Sequence, residues 1–349
     1  MVTPWSPVAA LRRIAFLLER GREDTYKVKA FRGAAAALLP LSDDEIARHV
    51  TDGTLRSVPG VGASSAAVVE QALAGEVPDR LAALEAEHGG PLVAGGEELL
   101  PLLRGDLHSH SDWSDGGSPI EEMAFTAIEL GREYQVLTDH SPRLKVARGL
   151  SAERLARQLD VIDAVNDHLT AAAGEGGFAL LKGIEVDILD DGSLDQTDAM
   201  LDRLDVRVAS VHSKLKMDPE PMTRRMLAAV RNPRVNVLGH CTGRLVTGGR
   251  GTRPESRFDA RAVFRACAET DTAVEINARP ERRDPPTRLL ELARDLGCLF
   301  AIDTDAHAPG QLDFLAYGAE RAAAAGIDPN RIVTTWSRKR LLEWAGAGV

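Results

Sequence analysis

The residues of this 349-residue chain that could do chemistry are histidines and carboxylates that follow short apolar runs. Six of the nine histidines occupy such positions, beginning with His108 and His110 in the stretch RGDLHSHSDWSDGG. Imidazole and carboxylate groups together suit Zn, Mn or Fe, whereas calcium prefers oxygen ligands. The candidate metal ligands are His108, His110, Asp115, His140, Glu185, His212, His240, Asp305 and His307.

This number of candidate ligands predicts more than one ion. A tetrahedral ion takes about four ligands, so the set predicts two or three divalent ions. Closely spaced ions stabilise the attacking and leaving oxygens of a displacement at phosphorus, which indicates phosphoester hydrolysis. Any one of these histidines alone would be explained better as an ordinary core or loop residue. The shared position of six of them favours a metal centre.

A phosphate substrate also needs cationic partners. The basic, glycine-rich stretch TGRLVTGGRGTRPESR follows His240 closely. Guanidinium groups hold phosphate with two donors, so Arg244 is our first candidate for the contact with the substrate phosphate.

The elements that must position these residues are strands that alternate with helical stretches. Such alternation predicts βαβ units and a parallel sheet, with the functional residues at the carboxyl ends of the strands. About seven strands are expected, one before His108 and the others at 134–138, 178–183, 206–211, 235–239, 273–277 and 298–303.

Composition predicts a globular protein with a helical front block and a larger α/β block. The predicted boundaries are residues 1–90 for the helical domain, 91–103 for a linker and 104–349 for the barrel domain. A net charge of −10 argues against a broadly basic nucleic-acid coat. The three cysteines are far apart and predict reduced thiols in the cytoplasm. We expect neither a signal peptide nor a membrane segment.

The stretch LRSVPGVGASSAAVVEQAL in the front block fits a helix-hairpin-helix pattern. Gly60 and Gly62 would let main-chain N–H groups at a helix N-terminus approach a DNA phosphate without reading the bases. Lys27, Lys29 and Arg32 could add phosphate contacts. The alternatives are an ordinary tight turn for the glycines and a solvated charged face for the three cations.

Together, these motifs resemble the PHP (polymerase and histidinol phosphatase) domain over residues 104–345. The stretches DHSPRLKVARGLSAERL, GIEVDILDDGSLD, ASVHSKL, GHCTGRL and VEINARPERRD are most similar to the PHP domain of bacterial family-X DNA polymerases. The resemblance implies a distorted (βα)7 barrel, related to the amidohydrolases, with a trinuclear metal site. One difference is Arg279, which stands where the family has asparagine.

The resemblance also implies how the ligands are shared among three ions. Glu185 would bridge two of them, and Glu185, Asp305 and Arg244 are the predicted catalytic residues. The implied ligand sets are His108, His110, Glu185 and Asp305 for one ion, Glu185, His212 and His240 for the second, and Asp115, His140 and His307 for the third.

The front block is similar to the small DNA-binding domain of family-X polymerases, but only a short linker separates it from the PHP-like block. A polymerase of that family has a nucleotidyltransferase palm between these blocks. We therefore expect no polymerase activity, and a polymerase supplied as a separate partner is a conjecture.

Three functions follow from these features. The first is a metal-dependent DNA phosphodiesterase, a 3′-to-5′ exonuclease or 3′-end processing enzyme in DNA repair, whose helix-hairpin-helix holds the DNA backbone. The second is a small-molecule phosphatase acting on histidinol phosphate or a nucleotide. The third is a non-catalytic DNA-binding adaptor with a structural metal cluster, against which the complete ligand set argues.

Overall fold

The computed structural model describes residues 5–174, 176–249 and 251–346. Arg250, in the basic stretch after His240, and the last three residues of the predicted barrel domain lie outside these described residues. The chain divides into two compact units, Met1–Leu92 and Val93–Val349. In the described part of the chain, no helix is both long and apolar enough to cross a membrane.

The first unit is a small bundle of helices. Side-chain caps begin several of them: Ser6 caps α1, Asp24 caps α2, and Ser42 forms a capping box with Glu45 on α3. Leu11, Ile14 and other apolar residues of these helices are buried. The helices are α1 (Pro7–Arg20), α2 (Thr25–Leu38), α3 (Asp43–Thr51), α4 (Ala63–Leu73) and α5 (Asp79–His88).

The second unit is built on a parallel sheet of seven strands whose spatial order follows the chain order. The strands are β1 (Gly105–Ser109), β2 (Tyr134–Leu137), β3 (Ala179–Asp187), β4 (Val206–Ser210), β5 (Val237–Leu238), β6 (Ala273–Asn277) and β7 (Phe300–Asp303). The helices around them are α6 (Ile120–Glu129), α7 (Ala152–Ala173), α8 (Asp198–Leu201), α9 (Pro219–Val230), α10 (Ala260–Glu269), α11 (Thr287–Asp295), α12 (Leu315–Ala324) and α13 (Arg338–Ala345).

The two edges of this sheet approach each other and nearly close a barrel. Ser109 forms a parallel bridge with Ala306 just beyond β7, and the His110 amide donates to the Ala306 carbonyl at 2.8 Å. This confirms the predicted α/β barrel preceded by a helical region.

The strands carry one core inside the barrel and another towards the helices. Leu107, Val136, Leu181, Val208 and Val237 contribute to the inner core from successive strands. Alternation along a strand sends their neighbours outward to pack against the helices. The predicted linker also contributes outside the barrel, because its Leu99 and Leu103 are buried in the core shared by strands and helices.

Strand β3 is longer than the predicted run 178–183. It continues through Glu185 to Asp187, while Ile184 and Val186 pack towards the helices. The two acidic side chains alternate with these apolar ones and therefore face the other way. The predicted run ended at Gly183, but the strand continues through it to Asp187.

Candidate metal centre

The structure brings all nine predicted ligands to the carboxyl edge of the barrel. Each strand of the barrel except β6 delivers at least one of them, from its last residues or from the segment that follows it. His108 is within β1 and Glu185 is within β3, whereas the others lie in the connections that follow their strands. Gly239 precedes His240, and a side chain there would collide with Ser210 of β4. Glycine thus lets β5 approach β4 and carry His240 into the cluster.

Glu185 lies at the middle of the cluster and is 1% exposed. Its Oε1 is 2.8 Å from His240 Nε2 and 3.1 Å from His212 Nε2. Its Oε2 is 2.9 Å from His140 Nδ1 and 3.3 Å from His108 Nε2. A carboxylate with imidazoles around both oxygens has the geometry expected of a ligand shared between two ions.

Asp115 and Asp305 complete the cluster on either side of Glu185. Asp115 Oδ1 is 3.4 Å from the Nε2 atoms of both His140 and His307. Asp305 Oδ1 is 3.5 Å from His110 Nε2. The ligand atoms form three overlapping groups that could each hold an ion: His110, Asp115, His140 and His307; His108, His110 and Asp305; and His140, Glu185 and His212.

Several buried atoms of the cluster make no well-directed hydrogen bond with any described residue, even where a Glu185 oxygen and a histidine nitrogen lie close together. They are His108 Nε2, both ring nitrogens of His110, His140 Nδ1, Glu185 Oε2, His212 Nε2 and His240 Nδ1. Leaving a buried polar atom unsatisfied costs about 1–3 kcal/mol. So many unsatisfied donor atoms in one place fit the divalent ions that the sequence predicts.

Carboxylates behind the cluster orient two of its histidines. His108 Nδ1 is 2.5 Å from Glu275 Oε1, and His212 Nδ1 is 2.7 Å from Asp187 Oδ1. Each carboxylate accepts a hydrogen bond from the Nδ1–H group, so the Nε2 lone pair is available to an ion. Sequence reasoning missed Glu275 and Asp187, although Asp187 stands two residues after Glu185 on the same face of β3.

The electrostatics of the cluster are dominated by its own charges. Burial raises the pKa of Glu185, but His212, His108 and His140 outweigh it and hold that pKa well below the usual range. Burial opposes the charge on His140, but Glu185 and Asp115 raise its pKa to about 10. Burial and the neighbouring His307 and His140 lower the pKa of His110 to about 3. An ion must displace a proton from His140, so metal binding should strengthen as pH rises.

The predicted phosphate contact, Arg244, uses its guanidinium to contact the segment after β6. Its guanidinium donates to the main-chain oxygens of Arg282 and Arg283, and it lies 3.6 Å from Glu255. Its donors hold the loop after β6 against the loop after β5, and its contact with a substrate phosphate stays a prediction.

Two other arginines, Arg279 and Arg282, contact the cluster instead. Arg282 Nε is 2.9 Å from Asp305 Oδ2. Arg279 Nη1 is 2.9 Å from His307 Nδ1 and 3.2 Å from the Asp305 carbonyl. Arg282 Nη1 is buried and has no hydrogen-bond partner in the described part of the chain. Together the two side chains line a cavity of about 190 Å³, and they could receive an anion beside the metal ligands.

Asp305 itself has an unusual backbone conformation. Its φ of 52° is in the left-handed region, which costs a non-glycine residue of order 1 kcal/mol. The carboxylate is held there by Arg282 and by Asn277 Nδ2 at 3.2 Å.

The three cations predicted to contact DNA in the first unit differ in whether their charge is already paired within the protein. Arg32 pairs with Glu19 at 2.8 Å with a side chain only 14% exposed, so its charge is already partnered. Lys27 pairs with Glu23 on the surface, and Lys29 is exposed.

The two glycines of the hairpin form a tight turn before α4. Gly60 has φ 95°, and Gly62 is the N-cap of α4. The Gly62 amide donates to Ser65 Oγ at 2.9 Å, so a phosphate would have to use the amides that follow it.

A parallel barrel with histidines and carboxylates gathered at the carboxyl ends of its strands is the arrangement of a metal-dependent phosphoesterase. The chain is a PHP-domain protein, since residues 106–279 match the PHP domain family. It is 38% identical over 244 residues to the DNA polymerase/3′-5′ exonuclease PolX of Bacillus subtilis, an alignment that spans 69% of this chain and 41% of PolX.

Other relatives are named as phosphatases. A probable phosphatase of Syntrophotalea carbinolica is 27% identical, over 65% of this chain and 90% of that protein. The crystal structure of histidinol phosphate phosphatase from Lactococcus lactis, complexed with zinc, L-histidinol and phosphate, matches 70% of this chain and 94% of that one. The TM-score of that match is 0.42 and its sequence identity is 18%.

Proposed function

We propose that this protein is a metal-dependent phosphodiesterase that shortens DNA from its 3′ ends, as an exonuclease or end-processing enzyme in repair. The observation that carries the proposal is the complete set of nine ligands around Glu185, in a chain that also has a helix-hairpin-helix-like turn. The 38% identity to a PolX named for its 3′-5′ exonuclease supports the same substrate.

The side chains of the site have distinct tasks in this proposal. The nine ligands hold two or three ions of Mn, Zn or Fe, which when bound supply Lewis acidity towards the phosphate oxygens. Arg279 and Arg282 hold the non-reacting phosphate oxygens through charge-assisted hydrogen bonds. Glu275 and Asp187 keep two imidazoles oriented, so the site needs little rearrangement during the reaction.

The first unit would hold DNA by its backbone. The turn at Gly60 and Gly62 offers the N-terminus of α4 to a phosphate, and exposed Lys29 adds a cation. We further propose that the protein is located in the cytoplasm, in keeping with its three free and buried cysteines. We also propose that it cooperates with a separate polymerase.

A second candidate is a small-molecule phosphatase for histidinol phosphate or a nucleotide. It is favoured by relatives named as probable phosphatases, one of which this chain matches over 90% of its length. The non-catalytic adaptor is the weakest candidate, since structural sites usually close with four ligands and this cluster has nine.

The deciding experiment is a Mn²⁺-supplemented nuclease assay with a 5′-labelled single strand and a gapped duplex. We expect a ladder of shortened products that is absent with the His110→Ala protein. DNA that stays intact, while phosphate is released from histidinol phosphate or nucleotides, would replace the nuclease with the phosphatase. Inactivity on all substrates, in a folded and metal-loaded protein, would favour the adaptor.

Replacing Arg282 with glutamine should lower kcat/KM by about 10- to 100-fold. A hydrogen bond to a charged group contributes about 1.5–3 kcal/mol, and each 1.4 kcal/mol is a factor of ten. Bound metal is measured in parallel, because Arg282 also contacts Asp305.

Arg288→Gln is the matched control, since Arg288 is an exposed guanidinium that pairs with Glu255 on the surface. A larger loss of kcat/KM for Arg244→Gln than for Arg282→Gln would favour the sequence-based choice of Arg244 over Arg282.

A further inference from the structure

A second groove lies at the same edge of the barrel, outside the metal centre. It is a cavity of about 580 Å³ between the segment after β4 and the segment after β5. Four cations line it, with an apolar floor that includes Leu215 and Met217. We call it the basic groove, and its cations are Lys214, Lys216, Arg253 and Arg257.

The basic groove is connected directly to the metal ligands. Lys214 follows His212 by two residues in the chain. On the other side, the Gly243 amide donates to the His240 carbonyl at 2.8 Å, and Arg253 Nε donates to the Gly243 carbonyl at 2.5 Å.

The two walls of the basic groove are fixed to each other. Ser256 Oγ donates to the Leu215 carbonyl at 2.9 Å, and the Ser256 amide donates to the Thr242 carbonyl at 2.8 Å. Leu215 packs on Gly243, which leaves no room there for a side chain. The groove is therefore a preformed feature of the fold.

Two of the four cations of the basic groove keep their charge available to a ligand, whereas Lys214 pairs with Asp190 and Arg253 donates to the Gly243 carbonyl. Lys216 and Arg257 are exposed, and neither has an ion pair or hydrogen bond from its side chain in the described part of the chain. The single acidic residue of the lining, Glu255, is occupied by Arg244 and Arg288. Two unpaired cations, Lys216 and Arg257, therefore lie in this groove of a protein whose net charge is −10.

The charge and the apolar surface of the basic groove together favour a ligand that has several phosphates and exposed bases over a small phosphomonoester. A small phosphomonoester has one charged group, which Arg279 and Arg282 can already receive. Cations along a separate groove suit an anion whose phosphates continue beyond the reacting one. An apolar floor suits base faces, which a duplex stacks internally and a single strand exposes.

We propose that the basic groove binds a single-stranded nucleic-acid segment adjoining the phosphate that reacts at the metal centre. The inference rests on the proposed phosphodiesterase function and adds that the substrate is single-stranded over the nucleotides next to the cut. The backbone supplies the affinity, so DNA and RNA single strands should both bind there.

The test uses the full chain with the double substitution Lys216→Ala and Arg257→Ala. The matched control is Lys339→Ala with Arg265→Ala, which removes two exposed cations from α13 and α10. Binding of fluorescein-labelled dT16 and rU16 is measured in EDTA over a range of salt concentrations. Each lost phosphate contact reduces the slope of log K against log salt by about 0.7 on a single strand.

We expect the double variant to lose roughly 1.4 from that slope on both oligonucleotides, and the control to lose nothing. In Mn²⁺, its kcat/KM on dT16 should fall at least tenfold, while that on the p-nitrophenyl ester of thymidine 5′-phosphate changes less than twofold. An unchanged slope, or equal losses on the two substrates, would overturn the proposal. The same salt titration is made on a DNA duplex, and a loss of slope confined to the duplex would overturn the single-strand assignment.

Failure of the proposed function gives a different result. In that case the wild-type protein cleaves neither dT16 nor the thymidine ester, yet releases phosphate from a monoester. The salt slope still tests the basic groove under those conditions, because it is measured without turnover.

Discussion

Glu185→Gln is expected to reduce phosphoester hydrolysis by about 1,000-fold or more. Both oxygens of Glu185 lie within 3.3 Å of histidine nitrogens, so this side chain is placed to join two ion sites. Glutamine has the same shape but loses the charge and one acceptor. A metal ion contributes several kcal/mol of transition-state stabilisation, and about 4 kcal/mol corresponds to a factor of 1,000.

The measurement is kcat/KM together with bound metal per chain. We expect the variant to bind at least one ion fewer than the wild type while keeping its circular dichroism spectrum. Glu153→Gln is the matched control, because Glu153 is an 83%-exposed residue of α7 that pairs with Arg157 on the surface. Full metal content and activity in Glu185→Gln would remove this residue from the centre.

Withdrawing the metal should abolish activity and destabilise the second unit. A ligand at 100 times its dissociation constant stabilises the folded state by about 2.7 kcal/mol. For domains of 150–250 residues, 1 kcal/mol shifts Tm by about 2–4 °C. We therefore expect Tm to fall by roughly 5–10 °C in chelator and to recover when Mn²⁺ is added.

The unsatisfied atoms of the cluster explain why Tm should fall, and not rise, when the metal is withdrawn. Without an ion, buried atoms such as both nitrogens of His110 stay unsatisfied, and a bound ion relieves that cost. His110→Ala should reduce the Mn²⁺-dependent increase in Tm. A wild-type Tm that is the same in chelator and in Mn²⁺, with activity retained, would contradict the metal centre.

The metal-dependent increase in Tm should also depend on pH. His140, with a pKa raised to about 10 by Glu185 and Asp115, must lose its proton before an ion binds. The metal-dependent increase in Tm should therefore be larger at pH 8 than at pH 6 at the same Mn²⁺ concentration.

The ligand set could be named from the sequence because a parallel barrel makes position along the chain predict position in space. Every strand runs in the same direction, so residues that end strands converge on one edge whatever the helices between them do. His108, His140 and His240 are separated by many residues, yet each follows an apolar run that the sequence marks clearly. The alternation of strands and helices could also be predicted from the sequence, since each type of element has its own hydrophobic periodicity along the chain.

The sequence did not show which loops touch each other, and only the tertiary structure decided that. Arg244 and Arg282 are both arginines in basic loops, and nothing local distinguishes them. Packing directs Arg244 to main-chain oxygens of the β6 loop and Arg282 to Asp305. The partners Glu275 and Asp187, and the basic groove between the segments after β4 and β5, likewise depend on contacts between residues far apart in the chain. Local patterns determine what a strand end carries, whereas the packing of neighbouring loops determines what its side chains meet.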